Sequence, residues 1–390
     1  MEKLKGLWIS DLGVPTGFAR VSHSIIENIK DRVDITGFGV NYQGNPHQLG
    51  IDIYPATGGP EDPMGFSKIA DTVNRAKYDF IYMLQDVWVI NRYLAEIKSK
   101  VDVDKIPKII IYFPVDAEEH DKEWYSNFDI VTKIVTYTEY AKGVVLEASP
   151  ELDIDVIPHG VDSDKFYTSF RSRDEAKQEV FAKQKSYADF IVLNSNRNQP
   201  RKRLDLTLRG FKIFAEGKDD VAIYMHCGVI DSSIDVAKLA VRLGIDNKLV
   251  MTNLIRGPQS VSDEDLNLIL NACDVGINTS LGEGWGLCAI EHAATGAPQI
   301  VPDSSACKEL FGDDIGILIP TVADYTFDGV MTVGKLVSPE GVAEALEIAY
   351  KAHKEGRDIG KDGKVKFLSD KYDWKVIAEQ WYSAIVEATK

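Results

Sequence analysis

The chain has no C-x-x-C pair, no low-complexity tract, no short internal repeat and no long uninterrupted apolar run. Each absence removes a class of protein. Four cysteines in 390 residues, Cys227, Cys273, Cys288 and Cys307, stand singly in the second half. Isolated thiols in a chain of this size point to reduced, mostly buried side chains of a cytoplasmic protein, not to a disulfide scaffold or a zinc cage. A membrane span needs roughly 18 consecutive apolar residues, and no window approaches that. The opening MEKLKGLWISDLG reads as a first β-strand: its apolar part is too short for a signal peptide and lacks a small-residue cleavage site. Positive charge is scarce as well. There are 44 Lys and Arg against 60 Asp and Glu, a formal charge of −16. A surface this acidic repels nucleic acid and anionic lipid at long range, though it leaves room for a local basic groove. The one dense basic run is RKRLDLTLR, 201–209.

What is present is an alternation. Short β-branched and aromatic runs (LKGLWIS, VDITGFGV, DFIYMLQ, KIIIYFPV, IVTKIVTYT) alternate with helix-like segments such as FARVSHSIIENIK and EYAKGVVLEAS. The pattern restarts at DFIVLNSN and continues through DVAIYMHCG, NKLVMTNLI, CDVGINTS and APQIVP. Near-continuous apolar strands between helices predict parallel sheets covered on both faces. Two such series predict two doubly wound, Rossmann-like α/β domains. The join is DIDVIPHGVDSDKF, followed by a polar Lys-, Glu- and Gln-rich helical segment. The expected division is 1–160, 161–370, and a terminal helix over 371–390 that packs back across the junction.

The stretch LGEGWGLCAIEHAATGAP, 281–298, sets two glutamates eight residues apart around a glycine turn. A strand ends before it and a helix starts at Gly286 and Leu287, so free N–H groups and the positive end of the helix dipole favour a phosphate there. Gly284 and Gly286 permit close approach to the backbone. Glu291, on the face of Leu287, can accept hydrogen bonds from a ribose diol; Glu283 can reach what hangs from the phosphate. A glycine turn with two solvated glutamates fits the spacing equally well. NSNRNQPRKR tips the balance: Arg197 and Lys202, five apart across a proline turn, can aim at one anion. A solvated basic face accounts for Arg203 and Arg209. Gly13 and Gly17 in GVPTGFAR form at most a loose phosphate loop, for which an ordinary strand-to-helix turn is an equal reading.

These pieces resemble the retaining glycosyltransferases of the GT-B fold, family 4. Glu283 and Glu291 match the family's Glu-x7-Glu motif, Arg197 and Lys202 its paired basic residues, and IPHGVDSDKF its interdomain segment, with His159 where Asn is usual. The resemblance implies a nucleoside-diphosphate sugar donor bound between two Rossmann-like domains. It places Arg197 and Lys202 on the diphosphate, Glu291 on the ribose and Glu283 on the donor sugar. Backbone amides of Gly284, Trp285, Gly286 and Leu287 would also meet the donor, with Gly17 near its phosphates. Where the family often carries a histidine after the fourth strand, this chain reads YFPVD, which makes Asp116 the acceptor-side candidate and His120 its rival.

His226 and His292 lack a metal-ligand partner at usable spacing, and the D-x-D triplets at 102–104, 153–155 and 162–164 are ordinary in so acidic a chain. No cofactor and no essential metal are expected. The acceptor is open: a glycan, a glycoconjugate or, as runner-up, a hydroxymethylated base in DNA. A nucleotide-sugar epimerase and a catalytically silent scaffold are the readings from other classes.

Overall fold

The computed structural model describes residues 3–168, 172–181, 188–251, 255–257 and 261–390. Two compact units divide the chain, and neither is one continuous stretch. The first takes Met1–Val115, Glu119–Gly160 and Trp374–Lys390; the second takes Asp116–Glu118 and Val161–Asp373.

In the first unit the strands are β1 (Leu4–Asp11), β2 (Val33–Val40), β3 (Asp52–Pro55), β4 (Phe80–Leu84), β5 (Lys108–Phe113), β6 (Lys133–Thr136) and β7 (Ile154–Val156). They form a parallel sheet in the order β3-β2-β1-β4-β5-β6-β7. All of β4 is buried, as a strand covered on both faces must be. The helix Gly17–Ile29 starts at Thr16, whose hydroxyl accepts from the Ala19 amide at 3.2 Å, and it buries Val21, Ser22, Ile25, Ile26 and Ile29 at helical spacing. Trp8 on β1 donates through Nε1 to Ser22 Oγ at 3.2 Å and stacks on Tyr82 at 3.7 Å between centroids. The helix Trp374–Ala388, from the far end of the chain, completes this unit. Its Trp381 meets Tyr82 and Tyr112 edge-on at 5.0 and 4.6 Å, and Glu379 pairs with Arg32. His159 is enclosed by Tyr137, Tyr112 and Trp374, and burial pushes its pKa down to about 3, so it is a neutral core residue.

In the second unit β8 (Phe190–Asn194), β9 (Val221–Met225), β10 (Leu249–Val250), β11 (Val275–Ile277), β12 (Gln299–Pro302) and β13 (Ile317–Ile319) form a parallel sheet in the order β10-β9-β8-β11-β12-β13. β14 (Thr321–Thr326) and β15 (Val333–Val337) add an antiparallel hairpin. Chain order reverses between β8 and β11, and the crevice at the carboxyl ends of such a pair is where doubly wound sheets bind ligands. At the opposite end of these strands Lys177, almost fully buried, pairs with Asp274 at 2.9 Å, and Asp274 also accepts from the Ile191 amide at 2.7 Å.

The two doubly wound α/β series foreseen in the sequence are both present. The strand read over IVTKIVTYT is only β6, because Phe128–Ile130 closes a 3-10 turn. Of NKLVMTNLI, the pair Leu249–Val250 is strand, and 252–254 lie outside the described residues. The polar segment after the junction forms the helix Arg173–Phe181; 182–187 likewise lie outside.

Trp381 is fully buried, so Trp381→Ala should destabilise the first unit by about 3–5 kcal/mol. Urea unfolding followed by circular dichroism checks this. A loss below about 1 kcal/mol would mean that the terminal helix is not part of that core.

Candidate active site

The second unit's site grows from the two loops that leave β8 and β11. After β8 the chain passes Arg197, makes a 3-10 turn at Pro200–Lys202 and enters the helix Leu204–Phe214 through Arg203, which is held in the left-handed region at φ 47°. Thr279 Oγ1, just past β11, donates to the Lys202 and Arg203 carbonyls at 3.2 and 2.9 Å and fixes that turn. After β11 the chain runs through Asn278, Ser280 and Glu283 to Gly286, at φ 92°, which opens the helix Leu287–Ala294. The left-handed Gly286 starts the helix without a side-chain cap.

Glu283 is 4% exposed and Glu291 6%. These values rule out the solvated-glutamate reading. A buried carboxylate is costly unless it is paired and hydrogen-bonded, and Glu283 is both. Its Oε1 accepts from Lys202 Nζ, from Asn278 Nδ2 at 3.0 Å and from Ser280 Oγ at 2.7 Å. Its Oε2 takes a single long bond from Arg201 Nη1, at 3.4 Å. Burial pushes the Glu283 pKa up, but the charges of Lys202 and Arg201 and the bonds from Lys202 and Asn278 outweigh it and hold the group at about 2. The backbone is pinned too: the Glu283 amide donates to Ser305 Oγ at 3.0 Å, and Ser305 sits at φ 51°, a strained setting for a serine.

Arg201 ties the loops together. It pairs through Nε with Asp116 at 3.2 Å, and its carbonyl accepts from the Leu281 amide at 2.9 Å. The Asp116 backbone lies so close to Gly282 that a Cβ there would stand 1.7 Å from the Asp116 carbonyl oxygen. Glu118 bridges Val333 of β15 in both directions at 2.8 and 2.9 Å, which seats Asp116–Glu118 against β15 and the loop after β11.

The structure brings Lys202, Glu283 and Asp116 together around Arg201. It does not bring Arg197 and Lys202 onto one partner. Arg197, its side chain 46% exposed, is held by Asp231 through Nε at 2.6 Å and Nη2 at 3.3 Å. The Trp285 indole is buried near Tyr372, so this residue can offer a ligand its backbone. His120 lies in the first unit, where Nδ1 meets the Tyr125 hydroxyl at 2.6 Å; Gly17, also in the first unit, begins the helix after β1. His226, just past β9, meets the Tyr224 hydroxyl at 3.2 Å; His292 is buried against the Cys273 carbonyl. Sequence reasoning missed Arg201, Asp231, Asn278, Ser280 and Ser305. Arg201 carried a signal as the neighbour of Lys202 in the basic run; Asn278 and Ser280 stand in the Glu283 loop as ordinary polar residues, and Asp231 and Ser305 reach the site from other segments.

Known proteins match the same region. Residues 175–328, which contain Arg197, Lys202, Glu283 and Glu291, match the family Glycosyl transferases group 1. A mannosylfructose-phosphate synthase of Agrobacterium fabrum is 26% identical over 157 residues, 38% of this chain and 32% of that protein. The chain's matches span about a third to under a half of the length of the curated relatives. Among solved structures, a sucrose-phosphate synthase from Thermosynechococcus elongatus superposes with a TM-score of 0.77 at 15% identity, covering 99% of both chains. Anabaena HepE in complex with UDP and glucose gives 0.73 at 16% identity, covering 98% of this chain and 99% of the other. The two parallel-sheet units therefore make a GT-B fold, and within the second unit residues 175–328 are similar to the family Glycosyl transferases group 1.

Proposed function

We propose that the second unit binds a nucleoside-diphosphate sugar and that the chain transfers the sugar, with retention of configuration, to an acceptor hydroxyl. The carrying observation is the pair of buried glutamates on either side of an open helix N-terminus at the β8/β11 crevice, one of them held ionised by two cations. The UDP and glucose bound by HepE make a uridine diphosphate hexose the first donor to try.

On this reading the diphosphate lies on the amides of 284–287, with Lys202 and Arg197 turning to it from their present carboxylates. The barrier is cleavage of the anomeric C–O bond as negative charge builds on the leaving phosphate. Preorganised amides and cations stabilise that charge more in the transition state than in the ground state. These groups supply positive charge without a metal, so transfer is proposed to be metal-independent. Glu291 accepts from the ribose. Glu283 has its Oε1 saturated, but its Oε2 keeps lone pairs for a hydroxyl of the donor sugar. A carboxylate with a pKa of about 2 is a weak base and a poor nucleophile at neutral pH. That favours same-face attack in which the departing phosphate takes the acceptor proton. Asp116, beside Arg201, is the proposed acceptor-side residue. The protein is expected to act in glycan or glycoconjugate synthesis, and no described helix is long and apolar enough to cross a membrane.

With EDTA present, UDP should raise the melting temperature of wild type and not of Arg197→Ala or Lys202→Ala. No shift with any nucleoside diphosphate at millimolar concentration overturns the donor site. Glu283→Gln should separate binding from chemistry. It frees Lys202 from its competitor, so UDP affinity should hold or rise, while the transfer rate falls by on the order of 100-fold. A fall in UDP affinity that accounts for the whole loss would contradict this assignment.

Glu283 also makes a prediction about acid stability. Its folded pKa, about 2, lies below the unfolded value, so its contribution is present above roughly pH 4.3 and is lost as pH falls toward 2. In urea titrations, the stability gap between wild type and Glu283→Gln should be constant from pH 6 to 8 and shrink below about pH 4.5. A gap unchanged down to pH 3 would refute the ion-pair account.

A further inference from the structure

A second cationic concavity lies elsewhere in the second unit. It is a cavity of about 670 Å³ lined by Thr168, Arg173, Lys361 and Lys364, with Val365 and Leu368 on its apolar side and Thr295–Gly296 as its floor. That size lies within the roughly 300–1,000 Å³ typical of small-molecule sites. In a chain of net charge −16, three cations and one acid around one hollow differ sharply from the average surface. The one acid, Asp358, is partly occupied by its own backbone, accepting from the Gly360 amide at 3.1 Å. Among the described residues neither Lys361 nor Lys364 forms an ion pair, so their charge is available to a ligand.

The floor is built to stay open. Gly296 sits at φ 86°, and a Cβ there would project among Lys364 Cδ at 3.5 Å, Arg173 Nη2 at 3.9 Å and Thr168 Oγ1 at 3.9 Å. The three side chains thus converge on the space beside Gly296, at ordinary contact distance. Two of them are fixed by the same carbonyl: Thr168 Oγ1 and Arg173 Nη2 donate to Thr295 O at 3.1 and 3.2 Å. Arg173 Nη1 is held in turn by the Asn271 and Cys273 carbonyls at 3.3 and 2.7 Å. All of its hydrogen-bond partners are neutral carbonyls, and the Asp274 and Asp358 carboxylates act on it electrostatically without a direct bond. A preorganised guanidinium and two unpaired ammonium groups match the oxygens of a phosphate group, and the apolar residues Val365 and Leu368 suit an organic remainder.

We propose that this cavity binds a small phosphate-bearing molecule, as a site separate from the donor crevice. It does not depend on the donor reading.

The probe is inorganic pyrophosphate, titrated calorimetrically at low ionic strength into wild type and K361Q/K364Q, each with and without saturating UDP. Wild type should retain a pyrophosphate-binding heat under UDP, and in K361Q/K364Q that binding should weaken at least tenfold while UDP binding is unchanged. Equal pyrophosphate affinity in the two proteins under UDP, or no UDP-resistant heat in wild type, overturns the proposal. Failure of UDP to bind either protein defeats the donor reading instead, and the wild-type and K361Q/K364Q pyrophosphate isotherms then decide the cavity by themselves.

Discussion

The ion pair between Lys202 and Glu283 is the constraint on which the second unit's site depends. A carboxylate this deeply buried is tolerable only while its cations and hydrogen-bond donors are in place. Satisfying it draws in Lys202 and Arg201 from the β8 loop, Asn278 and Ser280 from the β11 loop, and Ser305 from the loop after β12, which holds the backbone amide. Two strand-to-helix connections are thereby set in register by one side chain, and the backbone amide of the same residue ties in a third. The left-handed settings of Arg203, Gly286 and Ser305 belong to the same arrangement, since each turns its loop toward that carboxylate or away from a cap that would close the helix N-terminus.

Much of this was legible in the sequence, for local reasons. Apolar runs such as FIYML and FIVLN are buried on both faces and can hardly be anything but central parallel strands. The glycine turn before LCAIEHAA announces a helix start after a strand, which in a doubly wound sheet is also a ligand position. β3, β13 and the β14–β15 hairpin were not legible. They are short or exposed, and β14 is exposed along most of its length, so no apolar periodicity marks them. At the site the same distinction holds. Glu283 and Lys202 stand in motifs, whereas Ser305 and Asp231 act through contacts made across 22 and 34 residues. Arg197 shows the limit of reading spacing as geometry: five residues from Lys202, it turns to a different carboxylate.

The helix Leu287–Ala294 is occupied at both ends by different chemistry. Its N-terminus is bare backbone behind a left-handed glycine, suited to an anion. At its C-terminal end the Thr295 carbonyl accepts from Arg173, which also takes the Leu270, Asn271 and Cys273 carbonyls that end the helix Asp263–Ala272. A cation at the negative end of two helix dipoles is stabilising, and it fixes the far end of the helix while the near end is left open. Glu291 rides between them, so its position follows from how firmly that far end is tied.

The cations of the β8/β11 crevice are never bare. Lys202 rests on Glu283, Arg201 on Glu283 and Asp116, and Arg197 on Asp231, so each positive charge there already has a carboxylate. Under the proposed function, an arriving diphosphate would exchange with these resident carboxylates. The same exchange would run in reverse as the nucleotide leaves, with side chains already within reach replacing its phosphates. That competition would hold down the affinity for product and let a site that stabilises a leaving group release it.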